Sequence, residues 1–261
     1  MASGSVTISF EALRAQGKRA LVCYITAGHP TLAASAELLR SLGDAGADII
    51  EVGVPFSDPL ADGPVIQASS QQALNLGMSY AGVLDLISSA RPKIPIVLFS
   101  YLNPILAAGP DALRKARAAG AAGILITDLP VGADPAREKW LGESGLDFVR
   151  LVAPTTPTER MAEIARHGRG FVYLISRLGV TGARAELPAD LPTTIDRLRS
   201  ATTLPICVGF GISRPEHAAA IGKRADGIVV GSALVAAAGR STGEALALVD
   251  ALRKGLDGVT P

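Results

Sequence analysis

The sequence is poor in the residues that most often announce chemistry. It carries two cysteines, three histidines and one tryptophan in 261 residues, and aromatics make up 4%. Cys23 and Cys207 each lie inside a short apolar run, with no CxxC or metal-type spacing. That excludes a disulfide framework and a thiolate metal cluster, and it reads as two buried thiols in a reducing compartment. His29, His167 and His217 are scattered, so no imidazole metal set forms in the sequence. The shortage of aromatics argues against a base-stacking surface. Lys+Arg 25 against Asp+Glu 24 leaves a formal charge of +1, too little to hold nucleic acid or an anionic membrane. No apolar run approaches the roughly 20 residues that span a bilayer. The first residues, MASGSVTISFEALRAQGKRA, lack a basic segment followed by an apolar one, so a cytoplasmic protein is expected.

What the sequence does have is apolar material in a regular order. Hydrophobic residues reach 48% and charged residues 19%, enough for a large core. Eight short runs rich in Val and Ile fall at 20–26, 48–54, 94–99, 123–127, 147–152, 171–175, 205–209 and 226–231. They do not alternate with polar residues, as expected of parallel strands buried on both faces. Helical spacing of Ala, Leu and charge fills the gaps, at 31–45, 66–76 with 80–90, 110–119, 134–144, 157–167, 189–200, 214–222 and 242–254. Asp111, Thr158 and Ser213 stand at helix starts, and Gly46, Gly120, Gly145 and Gly168 near helix ends. Another helix is expected around 7–16. Eight βα units without a linker predict an α/β fold, a single (β/α)8 TIM barrel with an extra N-terminal helix, forming one domain over 1–261. A doubly wound open sheet is the alternative, but its glycine fingerprint is missing where TAGHP follows the first strand.

In such a barrel the chemistry sits at the carboxyl ends of the strands. Lys18 and Lys93 precede strands and the other lysines fall in helices, so none is placed to form a Schiff base. Carboxylates and phenols remain. Glu51 lies within the second strand, where burying its charge is costly unless it is paired or functional. The following loop, PFSDPLADGP, holds Asp58 and Asp62 among three stiffening prolines. Glu51 and Asp62 together suit a shared acid–base role, because two converging carboxyls split their affinities for protons. Asp128, and to a lesser degree Asp58, read as backbone caps. Tyr24, Tyr101 and Tyr173 end strands one, three and six. Glycine-rich turns, SRLGVTG (176–182), GFGIS (209–213) and VVGSAL (229–234), follow strands six, seven and eight, and the last two suit a phosphate. The residues alone thus predict a barrel enzyme for a small phosphorylated molecule, working by carboxylate acid–base catalysis.

The run EVGVPFSDPLADGPVIQ (51–67) resembles the signature of the tryptophan synthase alpha subunit family, and SYLNP, ITDLP, YLISRLGVTG, VGFGIS and VVGSALV follow in family order. The resemblance implies a lyase that cleaves indole-3-glycerol phosphate by a retro-aldol reaction to indole and glyceraldehyde 3-phosphate, in tryptophan biosynthesis. It implies Glu51 as the mobile acid and base, Asp62 as acceptor of the indole N–H, and Tyr173 as the residue orienting Glu51. Tyr24, Tyr101, Leu125 and Phe210 would wall the indole pocket. Thr181 would close against Asp62, and Gly182, Phe210, Gly211, Gly231 and Ser232 would hold the phosphate. It implies no cofactor in this chain, and a tryptophan synthase beta subunit as partner carrying pyridoxal phosphate in an alpha2beta2 tetramer. Pro55 and Asp58 would belong to that interface. His29 stands where the family commonly has an aspartate. The alternatives are a stand-alone indole-releasing lyase, a degenerate activator of a beta subunit, and a phosphate-binding barrel for another substrate.

Overall fold

Segments apolar on both faces have one comfortable place, between two layers of other structure, and here they pair only with one another. A computed structural model describes residues 5–175, 188–209 and 211–258. Helix α1 (Val6–Ala15) precedes β1 (Ala20–Thr26). There follow α2 (Leu32–Ser41), β2 (Ile49–Gly53), α3 (Pro64–Asn75), α4 (Tyr80–Ala90), β3 (Ile96–Ser100), α5 (Leu102–Ala107), α6 (Ala112–Ala119) and β4 (Ala121–Ile126). The second half runs α7 (Pro135–Glu143), β5 (Asp147–Val152), α8 (Thr158–Arg166), β6 (Val172–Ile175), α9 (Leu191–Ala201), β7 (Ile206–Gly209), α10 (Pro215–Gly222), β8 (Gly227–Val230), α11 (Ser232–Arg240) and α12 (Thr242–Asp257). The strands close in sequence order, all parallel, with β8 returning to β1, which makes a TIM barrel. All eight expected strands are present. Among the described residues no helix is long and apolar enough to cross a membrane.

Alternation along each strand separates two cores. On β1, Ala20 and Val22 pack inside the barrel, while Leu21, Cys23 and Ile25 pack outward beneath the helices. The inner layer continues through Ile49, Val97, Leu125, Val149, Tyr173, Cys207 and Val229. Each fully buried aliphatic side chain in these layers contributes about 1.5–3 kcal/mol. Cys207 belongs to the inner core and Cys23 to the outer; both are buried and free.

Helix α1 closes the end of the barrel where the strands begin. Ser5 caps it, accepting from Ile8 N–H. Its Val6, Phe10 and Leu13 join the inner core, with Phe10 and Phe171 ring centroids 5.4 Å apart. Asp147, the first residue of β5, accepts from both Thr7 N–H and Thr7 Oγ1, at 2.9 and 3.0 Å. The opposite end is left open.

Local expectations need some correction. α5 and α11 were not expected: α5 is only six residues, and α11 is nearly all small or apolar, so neither shows a helical period. Thr158 is the first helical residue of α8 with Pro157 at the cap, and α10 is capped at Arg214 rather than Ser213. Asp111 makes no cap bond because its carboxylate pairs with Arg114 at 3.1 Å. Gly46, Gly120 and Gly145 adopt positive φ, whereas Gly168 does not and Gly170 does.

Candidate active site

The open end holds a cavity of about 510 Å³. Of the residues expected at the site, Tyr24, Glu51, Asp62, Tyr173, Gly211, Gly231 and Ser232 all line it. Thr181, Gly182 and Phe210 lie outside the described residues.

Glu51 is fully buried. Strand pairing sets it in register with Tyr24 on β1 and Val97 on β3, facing inward. Neither carboxyl oxygen has a hydrogen-bond partner among the described residues. Burial raises its pKa from 4.5 to about 8. Tyr173 faces it from β6, its own phenol pushed well above the ordinary value by burial and then by Glu51. The Tyr173 ring lies over Gly209 on β7, where a Cβ would stand 2.3 Å from ring atoms. Gly53 accommodates Tyr24 in the same manner, with a Cβ 2.1 Å from the hydroxyl. Both glycines are there for close approach of a ring.

Asp62 is 7% exposed and stands in the loop between β2 and α3. Its N–H donates to Pro59 O at 3.0 Å, and Gln67 Nε2 on α3 donates to its carbonyl at 2.9 Å. Burial raises its carboxyl from 3.8 to about 6, opposed by a hydrogen bond from Tyr101. Tyr101 works from behind the loop rather than in the cavity wall. Its hydroxyl accepts from Ala61 N–H at 2.8 Å, and its ring packs on Phe56, centroids 5.1 Å apart. Leu125, expected in the wall, lies one layer deeper in the inner core; Thr127, two residues further along, takes that place. Asp128 caps a helix end, accepting from Leu102 N–H at 2.7 Å.

The two carboxyls therefore differ at neutral pH. Asp62 is mostly ionised and Glu51 mostly protonated. Among the described residues, no Lys, Arg or His lines the cavity.

Helix α11 supplies what the VVGSAL turn promised. Its first backbone bond runs from Val235 N–H to Gly231 O at 3.0 Å, so the N–H groups of Ser232, Ala233 and Leu234 have no partner within the helix. Gly211, at φ +84°, and Gly231 flank that terminus in the cavity lining. This is a place for an anion without a cationic side chain. The remaining wall is largely apolar, with Thr127 and Thr156 as its other polar side chains among the described residues. Phe99 meets Tyr24 edge-on at 5.2 Å, with Leu151, Ile175 and Ile66 nearby. Phe99, Leu151 and Ile175 were not singled out from the sequence. Their signal was only position, on inward-facing steps near strand ends.

His29 stays outside this chemistry. It is half-buried, with Nδ1 3.0 Å from Gln72 Oε1 on α3, and burial lowers its pKa.

The family model for the tryptophan synthase alpha chain matches residues 10–255. The chain is 48% identical to the tryptophan synthase alpha chain of Carboxydothermus hydrogenoformans over 229 residues, covering 87% of this chain and 86% of the other. It is 43% identical to that of Synechococcus sp. (strain CC9902), covering 98% of each. Among solved structures it is similar to Mycobacterium tuberculosis tryptophan synthase, with TM-score 0.89, 36% identity and coverage of 97% of this chain and 98% of the other. It is also similar to the tryptophan synthase subunit alpha of Legionella pneumophila str. Paris, with TM-score 0.88, 34% identity and coverage of 97% and 98%. With a family model spanning nearly its whole length and relatives matched end to end, this chain belongs to the tryptophan synthase alpha chain family.

Proposed function

We propose that the chain cleaves indole-3-glycerol phosphate to indole and glyceraldehyde 3-phosphate, as the alpha subunit of a tryptophan synthase. The observation that carries this reading is a pair of buried carboxyls, Glu51 and Asp62, lining one largely apolar cavity with a helix N-terminus. The indole ring occupies the apolar wall and the phosphate sits at α11. Glu51, as the acid, gives its proton to C3 of the ring. Positive charge then develops on the ring nitrogen, and the Asp62 carboxylate accepts the N–H bond and stabilises it. The Glu51 carboxylate next takes the proton of the hydroxyl beside C3. The carbon–carbon bond breaks, its electrons return to the ring, and Glu51 ends protonated as it began. Tyr173 orients Glu51.

The chain acts as one domain, in the cytoplasm. It holds no cofactor, and its partner is a beta subunit carrying pyridoxal phosphate, met in part by the loop bearing Pro55 and Asp58. The test is indole release from indole-3-glycerol phosphate, with and without a beta subunit. Slow release by the chain alone, stimulated by the partner and reduced at least about 100-fold in Glu51→Gln and Asp62→Asn, supports the reading. Fast release without the partner moves the chain to a stand-alone lyase. No release in either mixture overturns it.

A further inference from the structure

A carboxylate is aimed by its backbone before its own torsions act, because the two rigid peptide planes that meet at its Cα set the direction of Cβ. At Asp62 both planes are held. The first, shared with Ala61, is held within the loop, where Asp62 N–H donates to Pro59 O at 3.0 Å. The second, shared with Gly63, is held from outside the loop: Gln67 Nε2 on α3 donates to Asp62 O at 2.9 Å. The same amide nitrogen lies 3.5 Å from Pro59 O, and its two protons suffice for both carbonyls. One plane earlier, Ala61 N–H donates to the Tyr101 hydroxyl at 2.8 Å.

Local sequence explains why a helix side chain reaches back here. α3 opens on Gly63 and Pro64, and glycine has no side chain to cap with, while proline has no N–H. Gln67, at the start of the second turn, folds back over that opening. The glutamine of a capping box does the same toward an N–H; here the target is the carbonyl of Asp62. Gln67 is not among the described residues lining the cavity. It lines a separate groove of about 450 Å³ that shares only Leu60 with it. It therefore acts on Asp62 without touching what the cavity holds. Gln67 is exposed, so water replaces the bond when it is lost, and the stability of the fold changes little.

We infer that Gln67 is a positioning residue for Asp62: its amide holds the Asp62 carbonyl and so aims the Asp62 carboxylate at the ring N–H of an indole-class substrate. The role toward the substrate rests on the proposed function; the role toward the carboxylate does not. A displaced carboxylate matters most in the transition state, when the ring carries positive charge, so the loss falls on kcat rather than on KM.

The test is Gln67→Met in the full chain, labelled with carbon-13 at the aspartate carboxyls, with the signals of Asp58, Asp62 and Asp128 each assigned by its Asn variant. Gln67→Met keeps the length of the side chain and removes both protons. The Asp62 signal should move, while those of Asp58, in the same loop, and Asp128 stay in place. For indole release, kcat should fall about tenfold with KM within about twofold of the original. On the Asp62→Asn background, Gln67→Met should lower kcat no further, because the group it aims is gone. Gln71→Met, one turn further along α3 on the same groove, should change neither signal nor rate. Gln67→Glu, which has no proton to give at neutral pH, serves if Gln67→Met does not fold. An unchanged Asp62 signal, a shift shared by Asp58, an unchanged kcat in a chain that releases indole, or a loss that persists on the Asp62→Asn background overturns the inference. An Asp62 signal that moves alone in a chain releasing no indole keeps the positioning role and removes the substrate.

Discussion

Glu51 makes a prediction that needs no substrate. Its carboxyl is fully buried with neither oxygen bonded among the described residues, and burial raises its pKa from 4.5 to about 8. Below pH 4.5 the group is protonated in folded and unfolded chains alike and costs no ionisation energy. Between 4.5 and about 8 the unfolded chain ionises while the folded chain holds its proton. Folding then loses about 1.4 kcal/mol for each pH unit. Above about 8 both forms are ionised, and the loss levels off at about 5 kcal/mol. Glu51→Gln keeps the shape and cannot ionise. Urea unfolding of both proteins at pH 5, 7 and 9 isolates the effect, since every other titrating group cancels in the difference. The wild type should lose about 3 kcal/mol against the variant between pH 5 and 7, and somewhat more by pH 9. Parallel stability curves across that range would refute a buried, unpartnered carboxyl at this position.

Three other outcomes are expected. Because Asp62 must be ionised and Glu51 protonated, kcat/KM for indole release should be bell-shaped, falling below about pH 6 and above about pH 8; a flat profile from pH 5 to 9 removes both assignments. Gly209→Ala puts a methyl 2.3 Å from the Tyr173 ring. It should therefore cost about 1–3 kcal/mol in unfolding free energy and slow turnover, whereas Gly231→Ala, whose nearest neighbour is 3.8 Å away, should cost well under that. Ser232→Glu places a negative charge at the start of α11, where it favours the helix but repels a phosphate. KM should rise at least about tenfold without loss of thermal stability, and an unchanged KM would move the phosphate elsewhere.

Much of this protein was legible in the order of its residues. Runs such as DIIEVGV and FVYLI are apolar on both faces, and only a covered parallel sheet accepts eight of them in alternation with amphipathic helices. Glu51 stood out because a carboxylate inside such a run is expensive, and Asp62 because prolines stiffen the loop around it. Period alone could not reveal α5, too short to repeat, or α11, apolar on nearly every face. Leu125 in β4 and Thr127 just past its end are two residues apart, and that spacing does not say which reaches the cavity.

Closure of the barrel decided the rest. It turned Glu51 inward beside Tyr24 and Tyr173, residues 27 and 122 positions away in the chain, and gave it no hydrogen-bond donor among the described residues, so burial raises its proton affinity. It laid two aromatic rings over Gly53 and Gly209, and it brought Ser69 of a helix against Thr26 of a strand 43 residues away. Composition and pattern fix which residues are buried, because burial follows from local periodicity. Proton affinity and hydrogen-bond direction depend on what lies within a few ångströms across the fold, and that is set only when the last strand meets the first.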